Sequence, residues 1–455
     1  MKFTPNYDKA FMPMSVKLKE FRNAVKESGA KPLKLCVERN DGYNYIFSID
    51  VFSDDSKREE NYEIAERIIK SMLWVVGGYK IYICGDDYVY ERIKADYTDK
   101  GRRAFDVDFM QTVYEKDFEV IKTDEQNFPK LNECQVKIGG HLDGCRIGFD
   151  AGGSDRKVSA VIDGKVVYSE EVVWFPKINS DYHYHYDGIL TAMKTAASKM
   201  PRVDAIGVSS AGVYINNKIM VASLFLKVPK EDYKPHVQNM YIDVAKEIGA
   251  PLEVANDGDV TALAGAIDLK DNCVLGIAMG TSEAVGYINS KGLLNGWLSE
   301  VAFVPVDYNK DSMVDEWSGD YGCGVKYFSQ DSVIKLAESA GFKFDENASP
   351  AERLKVIQKL MAEGDDMAKN IYQDIGTYLG YAIPYYSEFY QIKHLLLLGR
   401  VTSGEGGSII VNRAKEVLEK EFPEFANINI TMPDESNKRV GQSIAAASLA
   451  ESVKK

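Results

Sequence analysis

Asp257 follows an apolar run, Leu252 to Ala255, and Asn256, and it opens an alanine-rich stretch. A carboxylate in a dry cleft can take the proton of a hydroxyl whose oxygen attacks a phosphorus. An amide such as Asn256 both donates and accepts, which suits a sugar hydroxyl. Alone, an acid at this place reads as a cap on the free N–H groups of a helix. Two glycine-bearing turns flank it, however. Ile147-Gly148-Phe149-Asp150-Ala151-Gly152-Gly153-Ser154 and Gly276-Ile277-Ala278-Met279-Gly280-Thr281-Ser282 each run from apolar residues into small ones and a hydroxyl, and then resume as a strand. Such turns bring backbone N–H groups close to phosphate with no side chain in the way. One alone says little, because any tight hairpin favours glycine. Two, with an acid between them, predict a nucleotide polyphosphate held between two half-domains. Gly152, Gly153 and Ser154 would bind phosphate on one side and Gly280, Thr281 and Ser282 on the other, with Asp257 as general base.

Other residues join this set. Asp150 ends the first apolar run and reads either as a ligand of Mg²⁺, through water, or as a turn-stabilising cap. Gly399, with Gly404, Gly406 and Gly407, forms a loop after the run His394 to Leu398 that can admit a purine and ribose. Glu300 can pair with substrate hydroxyls; by itself it would be a solvated acid. Ser210, at the end of the strand expected over 205–209, completes the candidate substrate contacts with Asn256, Asp257 and Glu300. In Tyr182-His183-Tyr184-His185 a strand would place both histidines on one face. A metal reading then competes with an exposed aromatic strand or loop, and no third His or Cys lies nearby.

The elements that must position these residues change character along the chain. Residues 1 to about 140 read as a small α/β domain, with a strand at Phe47–Phe52, a helix from Glu63 to Val76 and a strand at Lys80–Cys84. From Arg146 onward, strands at 158–162 and 166–173 flank Asp163-Gly164, a hairpin signal. Helices are expected at 186–199, 237–248, 257–267, 332–339, 351–362, 366–390, 413–421 and 443–453. Both phosphate-like turns lie inside hairpins with helices coming later, so the pattern predicts two mixed-sheet α/β lobes facing a cleft. Boundaries fall at 1–140, 141–265 for the first lobe and 266–455 for the second.

Composition bounds the partners. The chain has 455 residues, 45% of them hydrophobic and 27% charged, which predicts more than one domain with real cores. A net charge of −13 argues against a nucleic-acid surface. No stretch of about 20 apolar residues exists to span a membrane, and the first residues lack the apolar run of a secretion signal. Six cysteines without a C-x-x-C pair read as reduced, mostly buried thiols of a cytoplasmic protein.

From about Arg146 to Lys455 the chain resembles the ROK family (repressor, open reading frame, kinase) of sugar kinases, within the actin/hexokinase-like ATPase superfold. Asp150 to Ser154 looks like the family's first phosphate motif, Asp-x-Gly-Gly-Thr, with Ser for Thr. Val254 to Leu263 resembles the segment that holds the catalytic base. Met279 to Gly286 is similar to the second phosphate motif, Gly-Thr-Gly-x-Gly, with fewer glycines, and Ser299 to Phe303 aligns with Gly-Glu-x-Gly-His. His394 to Gly407 looks like the adenosine-side strand and loop. The resemblance implies a two-lobed ATP- and Mg²⁺-dependent kinase that phosphorylates a hexose or related sugar, and a homodimer. Departures accompany it. Phe303 stands where the family's zinc motif has histidine and only Gly322-Cys323 survives of its cysteines, so no structural zinc is expected. Val325 replaces an acid that touches substrate hydroxyls in the family, which alters one side of the sugar pocket. The first 140 residues have no counterpart in the simple kinases and no helix-turn-helix pattern, which disfavours the repressor branch. The alternative functions are a sugar- or nucleotide-binding sensor without turnover, and a regulatory scaffold with a vestigial cleft.

Overall fold

The structure is a computed structural model that describes residues 1–133, 138–432 and 435–452, with backbone only over 435–440. Cys134 and the end of the helix expected to reach Val453 lie outside the described residues. The chain forms two compact units. One comprises Met1–Cys134, Ile277–Val285 and Trp297–Met432; the other comprises Gln135–Gly276, Gly286–Gly296 and Pro433–Lys455. Among the described residues no helix is long and apolar enough to cross a membrane.

The second unit is built on a five-stranded mixed sheet. Its order is Leu252–Asn256, Ala205–Ser210, Cys145–Ala151, Asp155–Ile162, Lys165–Val173. The first three strands are parallel and the last two antiparallel. Asp163 and Gly164 join the last pair with both φ positive, as a two-residue hairpin of this hand requires. In the parallel strands Ala151 pairs with Ser210, and Ser210 with Asn256. Asp150, Ser209, Ser210 and Asn256 therefore emerge together at the carboxyl ends of the strands, the edge at which open α/β sheets bind ligands.

Period-2 alternation divides the faces of that sheet. Ile147, Phe149, Ile206 and Val208 enter a core shared with Ile189, Met193, Met240 and Val244 of the helices Tyr182–Ala197 and Met240–Ile248. Gly148 and Gly207 face the opposite way, under the helix Glu435–Ala447. A Cβ on Gly207 would collide with the Ala446 carbonyl oxygen, and one on Gly148 would lie 2.5 Å from that of Ser443. Only glycine allows so close an approach. Arg146, fully buried, donates to the Ala450 carbonyl at 2.6 Å and secures the chain beyond this helix.

In the first unit, the strands Asn44–Phe52, Ala30–Glu38, Lys80–Cys84 and Glu119–Lys122 form one sheet in that order. A second sheet has the order Glu283–Ile288, Val274–Met279, His394–Leu398, Asn429–Thr431. The early residues pack on the later ones through a buried ion cluster. Asp320 accepts ion pairs from Arg67, Lys70 and Arg103, each at 3.0 Å, while Arg103 also pairs with Glu66. Asp106 accepts from Trp74 Nε1 at 2.6 Å, and the Trp74 ring lies 4.2 Å from that of Phe303. Three acids thus balance three bases, all with side chains at most 2% exposed.

Several elements differ from expectation. The histidine run is not a strand but the first turn of the helix Tyr182–Ala197, where Asp181 caps by accepting from His183 N at 2.9 Å. The helical spacing of His185, Ile189, Ala192, Met193 and Ala196 outweighs the β-propensity of tyrosine, and His183 and His185 consequently face different ways. The helix expected from Arg413 begins at Glu405, and takes in Gly406 and Gly407. A Cβ on Gly406 would overlap the Tyr372 ring at 2.5 Å, so this glycine serves close helix packing rather than a loop. The helix expected from Val237 starts at Met240, after a turn containing Pro235, and the one expected to reach Tyr390 ends at Tyr386.

Removing one member of a buried ion cluster leaves the other charges uncompensated. Asp320→Ala is expected to cost about 3–5 kcal/mol of stability, read as a lower urea midpoint than the wild-type protein.

Candidate functional site

In the unit that contains the five-stranded sheet, Asp150 and Asp257 lie close enough for their charges to interact. Asp150 Oδ1 accepts from Ser209 Oγ at 3.0 Å, and burial raises the Asp150 pKa above the usual carboxylate range. Asn256, not Asp257, is the cap of the helix Asp257–Leu269: its Oδ1 accepts from Gly258 N at 2.8 Å and its Nδ2 donates to the Gly212 carbonyl at 2.8 Å. Asp257 sits on the first helical turn, with Oδ1 3.0 Å from Gly258 N. Burial first, and the Asp150 charge second, push its pKa up; the Lys177 ammonium opposes them. Two residues along, Asp259 accepts from Tyr287 N at 3.1 Å, and burial raises its pKa to about 7.

The turn at Gly152, Gly153 and Ser154 joins the strands Cys145–Ala151 and Asp155–Ile162, with Gly153 and Ser154 exposed. It is fastened from behind: Trp174 Nε1 donates to the Gly152 carbonyl at 2.7 Å and Trp174 N to that of Ser154 at 3.2 Å. Ser210 is fully buried and accepts from Tyr241 Oη at 3.0 Å, so its hydroxyl is engaged by the sheet's own packing.

The other unit carries the second turn. Gly280 N donates to the Ser282 carbonyl at 3.0 Å, and the Gly280 carbonyl accepts from Gln330 N at 2.9 Å. Thr281 and Ser282 are exposed, and Arg400 Nη2 donates to Thr281 Oγ1 at 2.7 Å. Gly399 has φ +95°, and a side chain there would overlap the Met279 backbone, which brings the loop after His394–Leu398 against this turn. Gly404 precedes the helix Glu405–Glu421 with open space around it. Glu300 is half-buried; its N–H donates to the Trp74 carbonyl at 2.9 Å. Its charge adds to the burial that lifts Glu283 to about 8, while Tyr386 Oη donates to Glu283 Oε1 at 3.3 Å.

Sequence reasoning missed Arg400, Lys177 and Glu283. A cation immediately after the glycine that ends a buried strand was a usable signal for Arg400. Nothing in the local spacing marks the other two.

Among the described residues no group of three or more His, Cys, Asp and Glu side chains is arranged to hold a metal ion. Asp150 offers a carboxylate oxygen, and Mg²⁺ needs few protein donors because it keeps its waters. Two mutually repelling carboxylates, Asp150 and Asp257, are a setting that such a cation would relieve. The residues at the zinc positions offer too few donors: Phe303 has none, and Cys323 supplies a single thiol.

Comparison with solved structures decides the fold. The ROK hexokinase of Thermus thermophilus superposes with a TM-score of 0.52 at 14% identity, over 66% of this chain and 97% of that one. A ROK-family transcriptional regulator, a homologue of the E. coli MLC protein, gives a TM-score of 0.53 at 18% identity, over 68% of this chain and 79% of that one. The chain has the ROK-family fold. No family model matches the sequence, and no curated protein matches it. Within the ROK fold, the neighbours include both an enzyme and a regulator, and the two turns and Asp257 are the features that bear on which this chain resembles in activity.

Glu283 gives a pH test. Its folded pKa of about 8 stands above the ordinary 4.5, so between these values unfolding releases a proton and stability falls as pH rises. The loss is roughly 1.4 kcal/mol per pH unit while that window lasts. Glu283→Gln, which cannot ionise, is expected to melt higher relative to wild type near pH 8.5 than near pH 5, as measured by thermal unfolding across pH.

Proposed function

We propose that the protein is an ATP-dependent kinase of a hexose or related sugar hydroxyl, with Asp257 as general base. The observation that carries this reading is Asp257 itself: a carboxylate of raised pKa beside Asp150, at the carboxyl ends of parallel strands, in the same unit as a glycine turn with an exposed hydroxyl. The likeness in fold to a hexokinase supports it.

In the proposed reaction the sugar O–H loses its proton to a carboxylate oxygen of Asp257. The sugar oxygen forms a bond to the γ-phosphorus, and the bond from that phosphorus to the β–γ bridging oxygen breaks, releasing ADP. The backbone N–H groups and hydroxyl of Gly152, Gly153 and Ser154 bind phosphate oxygens; in its own unit the turn at Gly280, Thr281 and Ser282, with Arg400 donating to Thr281, is a second candidate for phosphate. Gly404, with open space around it, leaves room for the adenosine, and Gly399 lets that loop pass close to the Met279 backbone. Asn256 and Glu300 orient sugar hydroxyls, whereas Ser210 contributes by holding Tyr241 rather than by a free hydroxyl. Mg²⁺, when bound, neutralises phosphate charge, and Asp150 is the residue that would hold it. A base with raised pKa suits the task because it gains more from accepting a proton.

A second reading is a sugar-binding sensor. The regulator among the neighbours favours it, as does Val325 at a position where a kinase would present an acid.

The decisive measurement is coupled ADP release over a panel of hexoses and amino sugars. Asp257→Asn is expected to lower kcat by about 10²–10⁴-fold while sugar affinity changes little. Turnover equal to wild type in this variant removes Asp257 from the chemistry. Calorimetric sugar binding with no phosphorylation by the wild-type protein, whatever the donor, favours the sensor.

A further inference from the structure

The loop that follows the strand Lys165–Val173 returns to the first phosphate turn and carries one cation, Lys177. Its position is fixed at three points. Trp174, fully buried, donates through Nε1 to the Gly152 carbonyl and through its backbone N–H to that of Ser154. Pro176–Ile178 form a single tight turn. His185, also fully buried, places Nε2 3.1 Å from the Pro176 carbonyl and Nδ1 3.0 Å from that of Asp181, which ties both ends of the loop to the helix Tyr182–Ala197. The backbone on both sides of Lys177 is therefore braced against the turn.

The Lys177 side chain lies over that turn. A Cβ built on Gly153 would stand 2.9 Å from Lys177 Cε and 3.1 Å from its Nζ. Its charge also reaches Asp257, whose proton affinity it lowers. Among the described residues Lys177 Nζ has neither a hydrogen-bond acceptor nor an ion-pair partner, although it is a surface lysine in a chain rich in acids. An ammonium held over exposed backbone N–H groups, beside a carboxylate placed to accept a proton, suits the anionic oxygens of a polyphosphate: a compact point charge with three donors. Two carboxylates in the same neighbourhood make the need for positive charge there greater.

Resting on the kinase reading, we infer that Lys177 is a donor-positioning residue that binds the terminal phosphates of the nucleoside triphosphate over the Gly152–Ser154 turn. It sets where the γ-phosphorus sits relative to Asp257. The lysine acts from a loop 20 residues or more beyond the glycine turn in sequence, and folding alone brings the two together.

The test compares wild type, Lys177→Gln and Lys177→Arg in binding AMPPNP and AMP by calorimetry, alongside kcat and KM for ATP and sugar. Because the side chain is exposed, all three are expected to melt at the same temperature. Lys177→Gln is expected to weaken AMPPNP by about 10–100-fold, the worth of a charge-assisted hydrogen bond, while leaving AMP and the KM for sugar unchanged. Lys177→Arg is expected to restore part of the loss. Equal AMPPNP affinity in wild type and Lys177→Gln overturns the inference while the kinase reading stands. An equal loss for AMP and AMPPNP also overturns it, because it assigns Lys177 to loop structure alone. If wild type neither binds AMPPNP nor transfers phosphate, the kinase reading falls and this inference falls with it.

Discussion

The parallel register of three strands, Leu252–Asn256, Ala205–Ser210 and Cys145–Ala151, is the constraint on which the candidate site depends. It ends the strands level, so that Asp150 comes opposite Ser209, Asn256 comes opposite Ser210, and the helix that begins at Asp257 starts from the same edge. Backbone hydrogen bonds set this register, and the alternation of faces then decides which side chains meet. A slip of one residue would send Asp150 into the core occupied by Phe149 and would lift Phe149 into the site. Gly148 and Gly207 enforce the register from the other direction, since only their positions tolerate the helix Glu435–Ala447 at such short range.

Having brought acids together, the fold must manage their repulsion. Burial raises the proton affinity of both Asp150 and Asp257; the Asp150 charge adds to the effect on Asp257, and Asp155 and Glu171 add to it on Asp150. The opposing cations, Lys157 and Lys177, come from the neighbouring strand and from the braced loop. A site of this kind is unbalanced in the free protein: it holds more negative charge at its base than positive charge to offset it. The structural cost of keeping the carboxylates half-dry is met by packing elsewhere in the sheet, notably the apolar core beneath Ile147, Phe149 and Val208.

The other unit solves a different problem with charge. Where a zinc motif would need His and Cys donors, the Phe303 ring packs tilted against Trp74 and Asp320 is drawn among Arg67, Lys70 and Arg103. A metal and a buried ion cluster both fix an irregular loop by satisfying charge in a dry interior. Here the cations come from residues before 134 and the acid from residue 320, so the early segment is bound into the packing of the later one. Further contacts point the same way: Asn6 and Tyr7 donate backbone N–H groups to Asp374, and Met14 donates to the Val306 carbonyl.

The sequence by itself determined the mixed α/β class, the hairpin at Asp163-Gly164 and both phosphate-like turns. It also determined the strand that leads into Asn256 and Asp257. All of these rest on local signals: period-2 runs, turn glycines, and a polar residue at a helix start. The resemblance drawn from the same motifs agrees with the ROK fold found by superposition. Short-range signals failed where long-range packing decided the outcome. Tyr182 to His185 reads as strand until the buried spacing of His185, Ile189 and Met193 commits it to a helix. Gly406 reads as loop until the Tyr372 ring requires its small size. Asn256 takes the cap position expected of Asp257, although Asp257 Oδ1 also accepts from the same Gly258 N–H. Lys177 carried no local mark at all, because its place over Gly153 follows from a loop braced by Trp174 and His185. Chemistry that depends on one residue's neighbours in sequence is legible there; chemistry that depends on charge meeting charge across a fold is decided by the tertiary structure.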